Sequence, residues 1–284
     1  MKTQTCEETG PFFIHAPARL ADAKLGGVPP RKVVTTSWDD GDPFDLRVAE
    51  MLAARKLSGT FYIPAKRHKR ACRMSLSQML GLSSQGFEIG AHSVTHPDLS
   101  HCDSLQLAVE VESCKKRLED DLSKGVSMFA YPGGRHNHRV IASLKQAGYS
   151  GARTTAMMGR YLSFDPFRMP TSLHVFPHTR FEYFRNLARA WDLRRAWVYA
   201  THVRCSRDWV ELAKLLFDSV LRDGGIWHLY GHSWEINEMG LWQKLQEVLD
   251  YVSERPDVDY VTNGGALPLR AVHLPSRVNH AVTR

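Results

Sequence analysis

The chain has 284 residues, 43% of them hydrophobic and 24% charged, with a formal net charge of +7 at pH 7. This is ordinary globular composition, of a length normal for one α/β barrel and with enough apolar side chain for a real core. The basic residues are spread along the chain apart from "KRHKR" at 66–70, which reads as a solvated loop, and no nucleic-acid motif accompanies it. Five cysteines (Cys6, Cys72, Cys102, Cys114, Cys205) are widely spaced without C-x-x-C, which weighs against a disulfide framework and a cysteine zinc site. The N-terminus lacks the apolar core of a signal peptide and no segment approaches a membrane span, so a cytoplasmic protein is expected.

Residues 1 to about 31 are rich in Pro, Gly and Ala and read as an extended lead-in. Thereafter short apolar runs alternate with helical patterns. "VVTTSW" predicts a strand over 33–38, and "PFDLRVAEMLAARK" a helix over 43–56 with Pro43 near its start. A strand at 59–64, a helix at 75–85, a strand at 86–93 and a long amphipathic helix at 104–122 follow. "VSMFAYP" and "YSGART" supply strands around a helix at 138–148 that stops at Gly148. The stretch from Thr155 to Arg207 carries little pattern beyond a helix around 181–191. The alternation then resumes with a helix at 208–224, a strand at 225–233, a helix at 241–254 and a strand at 258–262. Such repeats predict a parallel sheet, closed or nearly closed, with helices outside and the active site at the carboxyl ends of the strands.

The unusual residues fall at those ends. Asp39 and Asp40 close the first strand, His92 and His96 follow the third, and His232 ends a late one. Adjacent carboxylates repel, so where water is scarce one must take up a proton or find a cation. "DDG" alone is a common turn signal, and two histidines four apart can be a coincidence of the surface. Together, two histidines and an aspartate make a three-ligand site with an open position, the composition of a catalytic zinc centre. One aspartate of the pair would bind the ion, and the other would take a proton from water made acidic by it.

"SWDDGDP", "HSVTHPDL", "FAYPGGR" and "LYGHSWE" resemble, in order and spacing, the motifs of the polysaccharide deacetylases (carbohydrate esterase family 4, the NodB-homology domain). The resemblance runs from about Val33 to Leu267 and implies a distorted (β/α) barrel, α/β in class, with seven parallel strands in a single domain. It sets a catalytic domain at 32–270 between the lead-in and a tail at 271–284. By position it implies Asp39 as general base, Asp40, His92 and His96 as metal ligands, and His232 as general acid. The backbone N–H of Gly133 would steady the oxyanion, where glycine is tolerated because the amide acts. Many members have Arg-Pro-Pro-Tyr where this chain has Ala130, Tyr131, Pro132 and Gly133. The arginine that orients the base is thus missing from its slot, with Arg135 or Arg153 as replacements from elsewhere. The last motif also departs from Leu-x-His-Asp.

In an extended strand, His228, Tyr230 and His232 share one face, while Trp227 and Leu229 point to the outer helices. Tyr131, Arg135, His228 and Trp234 are the candidates for contact with substrate; Trp38 is expected to pack. His136 and His138 open a helix and read as surface or capping residues. The implied function is a metal-dependent N-deacetylase of an amino sugar or glycoconjugate, using zinc or else cobalt, manganese or nickel. Its partner would be that acetylated carbohydrate, with no nucleic acid. Two rivals stay open: hydrolysis of another C–N bond in a small molecule (a formamide, cyclic amide or imide), and an inactive metal- or carbohydrate-binding module.

Overall fold

The computed structural model describes residues 30–66, 73–190, 193–201 and 206–271. Most of the lead-in, most of the basic cluster, the tail after 271 and Cys6, Cys72 and Cys205 lie outside the described residues.

The strands are β1 (Lys32–Asp39), β2 (Thr60–Ile63), β3 (Glu88–Ala91), β4 (Met128–Ala130), β5 (Gly151–Arg153), β6 (Leu173–His174), β7 (Gly225–Gly231) and β8 (Asp259–Tyr260). Seven of them pair in the order β5-β4-β3-β2-β1-β7-β6, and the short β8 lies beside β1. Every pairing is parallel. One irregular segment joins the two edges. Met169 N–H donates to Ala152 O and Met169 O accepts from Thr154, while Ser172 and Val175 donate to β7 at 2.8 Å each. The result is a distorted barrel of seven parallel strands, as the resemblance implies, with the short β8 added beside β1.

The helices are α1 (Asp45–Ala53), α2 (Leu76–Ser84), α3 (Ser104–Ala108), α4 (Cys114–Leu122), α5 (His138–Gln146), α6 (Arg180–Ala190), α7 (Leu193–Thr201), α8 (Trp209–Asp223), α9 (Ser233–Glu238), α10 (Trp242–Val252) and α11 (Asn263–Ala271). The single helix expected over 104–122 is instead two, separated by a π turn at Val109–Ser113. Glu110 and Val111 are both buried within it. β6, α7, α9 and α11 lack a prediction from the sequence.

Alternation along β1 sets the two layers. Val34 and Trp38 join the large cluster between sheet and helices, where Trp38 is fully buried as expected. Val33 belongs to the inner cluster with Tyr62, Met128 and Ile226. Thr35 and Ser37 also face inward, Thr35 donating to Asn263 at the start of α11, which plugs the bottom of the barrel. The same two-residue period carries Asp39 into the barrel mouth. β7 mirrors it: Trp227 donates to Ala213 O in α8, and His228 faces Ser37 across the interior.

Candidate metal centre and its neighbours

In a continuing strand Asp40 would point away from Asp39. Asp40 instead takes φ 78° and Gly41 φ 63°, a left-handed turn that brings both carboxylates to the mouth. A non-glycine residue rarely adopts that backbone, and such positions cluster where geometry serves a site. The loop after β3 does the same, with φ 64° at Ser93 and 59° at His96. It is tied down by Glu110, whose Oε2 accepts from Val94 and Thr95 N–H at 2.7 and 2.8 Å. His92 Nδ1 donates to Ala130 O at 2.8 Å, which aims its Nε2 at Asp40.

Asp40 Oδ1 consequently stands 3.7 Å from His92 Nε2 and 3.6 Å from His96 Nε2. These separations are too long for hydrogen bonds. The oxygen is buried and has no hydrogen-bond partner, while Asp40 Oδ2 accepts from Trp234 Nε1–H at 3.0 Å. Burial lowers the pKa of His92 and keeps its ring neutral, as a ligand requires. An orphaned carboxylate oxygen between two imidazoles fits a divalent ion.

Asp39 is 3% exposed. Burial raises its pKa, but the charge of Arg153, helped by His92 and His232, outweighs that and lowers it to about 2. Arg153, at the end of β5, is fully buried, donates through Nη2 to Asp39 Oδ1, and lies between the Tyr62 and Tyr230 rings at 5.3 and 5.0 Å. Of the two replacement arginines, Arg153 is the one that meets Asp39. Arg135 instead pairs with Asp98 at 2.7 Å and remains largely exposed.

His232 Nε2 faces Asp39 Oδ2 at 3.9 Å, and its Nδ1–H donates to Glu235 Oε2 at 2.7 Å. Burial lowers its pKa, yet the bond and charge of Glu235 prevail and raise it to about 9. Glu235 also accepts from His174 Nε2 at 3.1 Å, and its own pKa lies far below the usual carboxylate range because those two bonds outweigh burial. The two sides of the mouth thus hold opposite protonation states: an ionised Asp39 and a protonated His232.

Two of the expected substrate contacts lie elsewhere. Tyr131 is fully buried, donates to Phe167 O at 2.9 Å and packs on Phe129; the backbone alternation of β4 turns it to the core. His228 is fully buried between Ser37 Oγ and Pro170 O, at 2.9 Å each, a histidine satisfied inside the barrel. Trp234 holds Asp40 through its indole N–H. Gly133 sits at φ 60° in the Pro132–Gly134 turn after β4, where a Cβ would meet nothing within 4 Å. Asn137, between His136 and His138, caps α5 by accepting from Val140 N–H. Reading the sequence missed Glu110, Glu235 and His174. Glu235 sits inside a quoted motif, while the other two carry no local signal.

Fold and site define the class: a distorted parallel α/β barrel with an Asp-His-His cluster and a second aspartate at its mouth. The family model described as polysaccharide deacetylase matches residues 26–152. That stretch, which carries Asp39, Asp40, His92 and His96, is thus similar to the polysaccharide deacetylases. No curated protein sequence matches the chain. Among solved structures, a Mycobacterium smegmatis protein described as a polysaccharide deacetylase aligns with TM-score 0.61 and 16% identity, over 91% of this chain and 96% of its own. A CE4 family pseudoenzyme of Bacillus anthracis aligns with TM-score 0.50 and 16% identity, over 85% of this chain and 67% of its own. The Streptococcus pyogenes deacetylase PplD in complex with acetate gives TM-score 0.47 and 22% identity, over 51% of this chain and 65% of its own. Identities this low make the likeness one of fold. Among the described residues, no helix is long and apolar enough to cross a membrane.

Proposed function

We propose that the chain is a metal-dependent hydrolase that removes an N-acetyl group from an amino sugar or glycoconjugate. The observation that carries this reading is the Asp40–His92–His96 cluster with Asp39 and His232 facing each other 3.9 Å apart beside it. A divalent ion there, zinc by the nature of the donors, would supply the Lewis acidity that sharpens a water's acidity and steadies developing negative charge.

Asp39, kept ionised by Arg153, takes the proton of the attacking water. The Gly133 N–H donates to the oxygen of the tetrahedral intermediate. His232, kept protonated by Glu235, gives its proton to the nitrogen as the C–N bond breaks; an amide needs this because its leaving group is poor. Asp39 then holds a proton and His232 lacks one, so transfer across the 3.9 Å between them resets both. Trp234 keeps Asp40 oriented throughout.

Elemental analysis paired with acetate release from a panel of acetylated monosaccharides, nucleotide sugars and oligomers tests the reading. Metal together with acetate release is the expected result. Metal with no hydrolysis across amides and esters would instead make the chain a binding module.

A further inference from the structure

A second set of donor atoms converges outside the first cluster. Glu235 Oε2 lies 2.7 Å from His232 Nδ1 and 3.1 Å from His174 Nε2, and the three atoms lie within 4.8 Å of one another. The His174 and His232 rings stand edge-on at 81° with centroids 5.5 Å apart, much as His92 and His96 do at 75° and 4.7 Å. Each donor sits on a fixed element: His174 on β6, His232 just past β7, and Glu235 in the first turn of α9. Behind them His178 Nε2 lies 2.9 Å from His174 Nδ1, the outer position that fixes the ring of a ligating histidine.

We propose that His174, His232 and Glu235 form a second divalent-ion site, suited to zinc, whose occupation removes His232 from service as a proton donor. The binding claim goes beyond the hydrolase reading; the inhibitory claim rests on it. Two imidazoles and one carboxylate are a zinc-type donor set with a position left for water. On a tetrahedral ion with bonds of ~2.0–2.1 Å, ligand atoms stand about 3.3 Å apart. The first cluster must close slightly to reach that separation, and the second must open slightly. The ion takes the place of the proton that His232 shares with Glu235. His232 Nε2, which faces Asp39, then carries the N–H of a neutral ligated imidazole, a far weaker acid than imidazolium.

Metal-free protein titrated with zinc by calorimetry, with bound ions counted by elemental analysis, decides the binding claim. Two ions per chain are expected in the unchanged protein, one in His174→Gln, one in Asp40→Asn and none in the double variant. Glu235→Gln, which preserves size, also drops to one and covers the case in which His174→Gln fails to fold. A single ion in the unchanged protein, or a second ion retained by His174→Gln or by the double variant, overturns the site. In the acetate-release assay, zinc beyond the first equivalent lowers turnover by ~10²-fold or more, the scale of a lost general acid. Undiminished turnover with both ions bound overturns the inhibitory claim. No turnover at any zinc level counts against the hydrolase reading, and the ion count still decides the site.

Discussion

The barrel mouth holds two histidine–carboxylate clusters made of the same residue types but spaced differently. Around Asp40 the imidazole nitrogens stand off at 3.6 and 3.7 Å, and the carboxylate oxygen between them has no hydrogen-bond partner. Around Glu235 they close to 2.7 and 3.1 Å and hydrogen-bond. Left-handed backbone at Asp40, Ser93 and His96 holds the first set apart, whereas a strand end and the next helical turn let the second set relax together. Spacing that differs by roughly half to one ångström thus separates an arrangement with room for a cation from one closed by hydrogen bonds. In the first, Asp40 Oδ1 is left without a hydrogen bond although Oδ2 accepts one from Trp234; in the second, Glu235 accepts from both imidazoles.

Removing a ligand from the first cluster breaks the comparison most completely. His92→Ala is expected to lose both bound metal and turnover, read by elemental analysis and acetate release. Asp39→Asn separates the two functions: metal stays and kcat falls by ~10²–10⁴, the range for a lost general base. Full activity in Asp39→Asn would remove the assigned base.

The next prediction bears on the second cluster. On the proposed mechanism kcat/KM requires an ionised Asp39 and a protonated His232, whose pKa values are shifted to about 2 and about 9. Activity should therefore hold across neutral pH and fall as pH rises through about 9. Glu235→Gln removes the charge that raises His232, so the alkaline limb should move down toward 6.5, the ordinary value. A limb that stays in place would mean that another group titrates there.

Much of this was legible in the sequence where periodicity was strong. β1, β3 and β7 end on the site residues, and their two-residue alternation correctly sends Asp39 inward and Trp227 outward. The closing segment was not legible, because Met169–Val175 is held by single backbone bonds to two strands and β6 spans only two residues. His174 was hidden with it. Glu110 reads as one more charge on a long amphipathic helix, but it is buried and accepts from the backbone between His92 and His96. Arg153 was one of two possible replacements, and only the inward face of β5 chooses it over Arg135.

Glu110 offers a finer test of the first cluster's spacing. It touches no expected ligand, yet its carboxylate holds the backbone of Val94 and Thr95 between His92 and His96. Glu110→Gln keeps the size but exchanges an acceptor oxygen for a donor, and should weaken metal binding by ~10–100-fold, as loss of an outer support does. Unchanged affinity by calorimetry would mean that the loop holds its left-handed turns unaided.

The smallest effect concerns a carboxylate that meets its neighbours in a third way. Asp45, fully buried in the first turn of α1, has its pKa raised well above the ordinary 3.8, by burial first and then by the charges of Asp42, Asp40 and Asp39. Asp39 meets an arginine and Asp40 faces two imidazoles; the surroundings of Asp45 favour its protonated form. A raised folded pKa means that the unfolded chain releases this proton first, so stability is full below about 3.8 and falls as pH rises toward the folded value. Asp45→Asn removes that loss. Denaturant unfolding should show the variant more stable than the unchanged protein at pH 7 and no more stable at pH 3. A variant weakened equally at both pH values would show that Asp45 is ionised in the fold, and that the crowding of charge at the mouth is resolved by a cation alone.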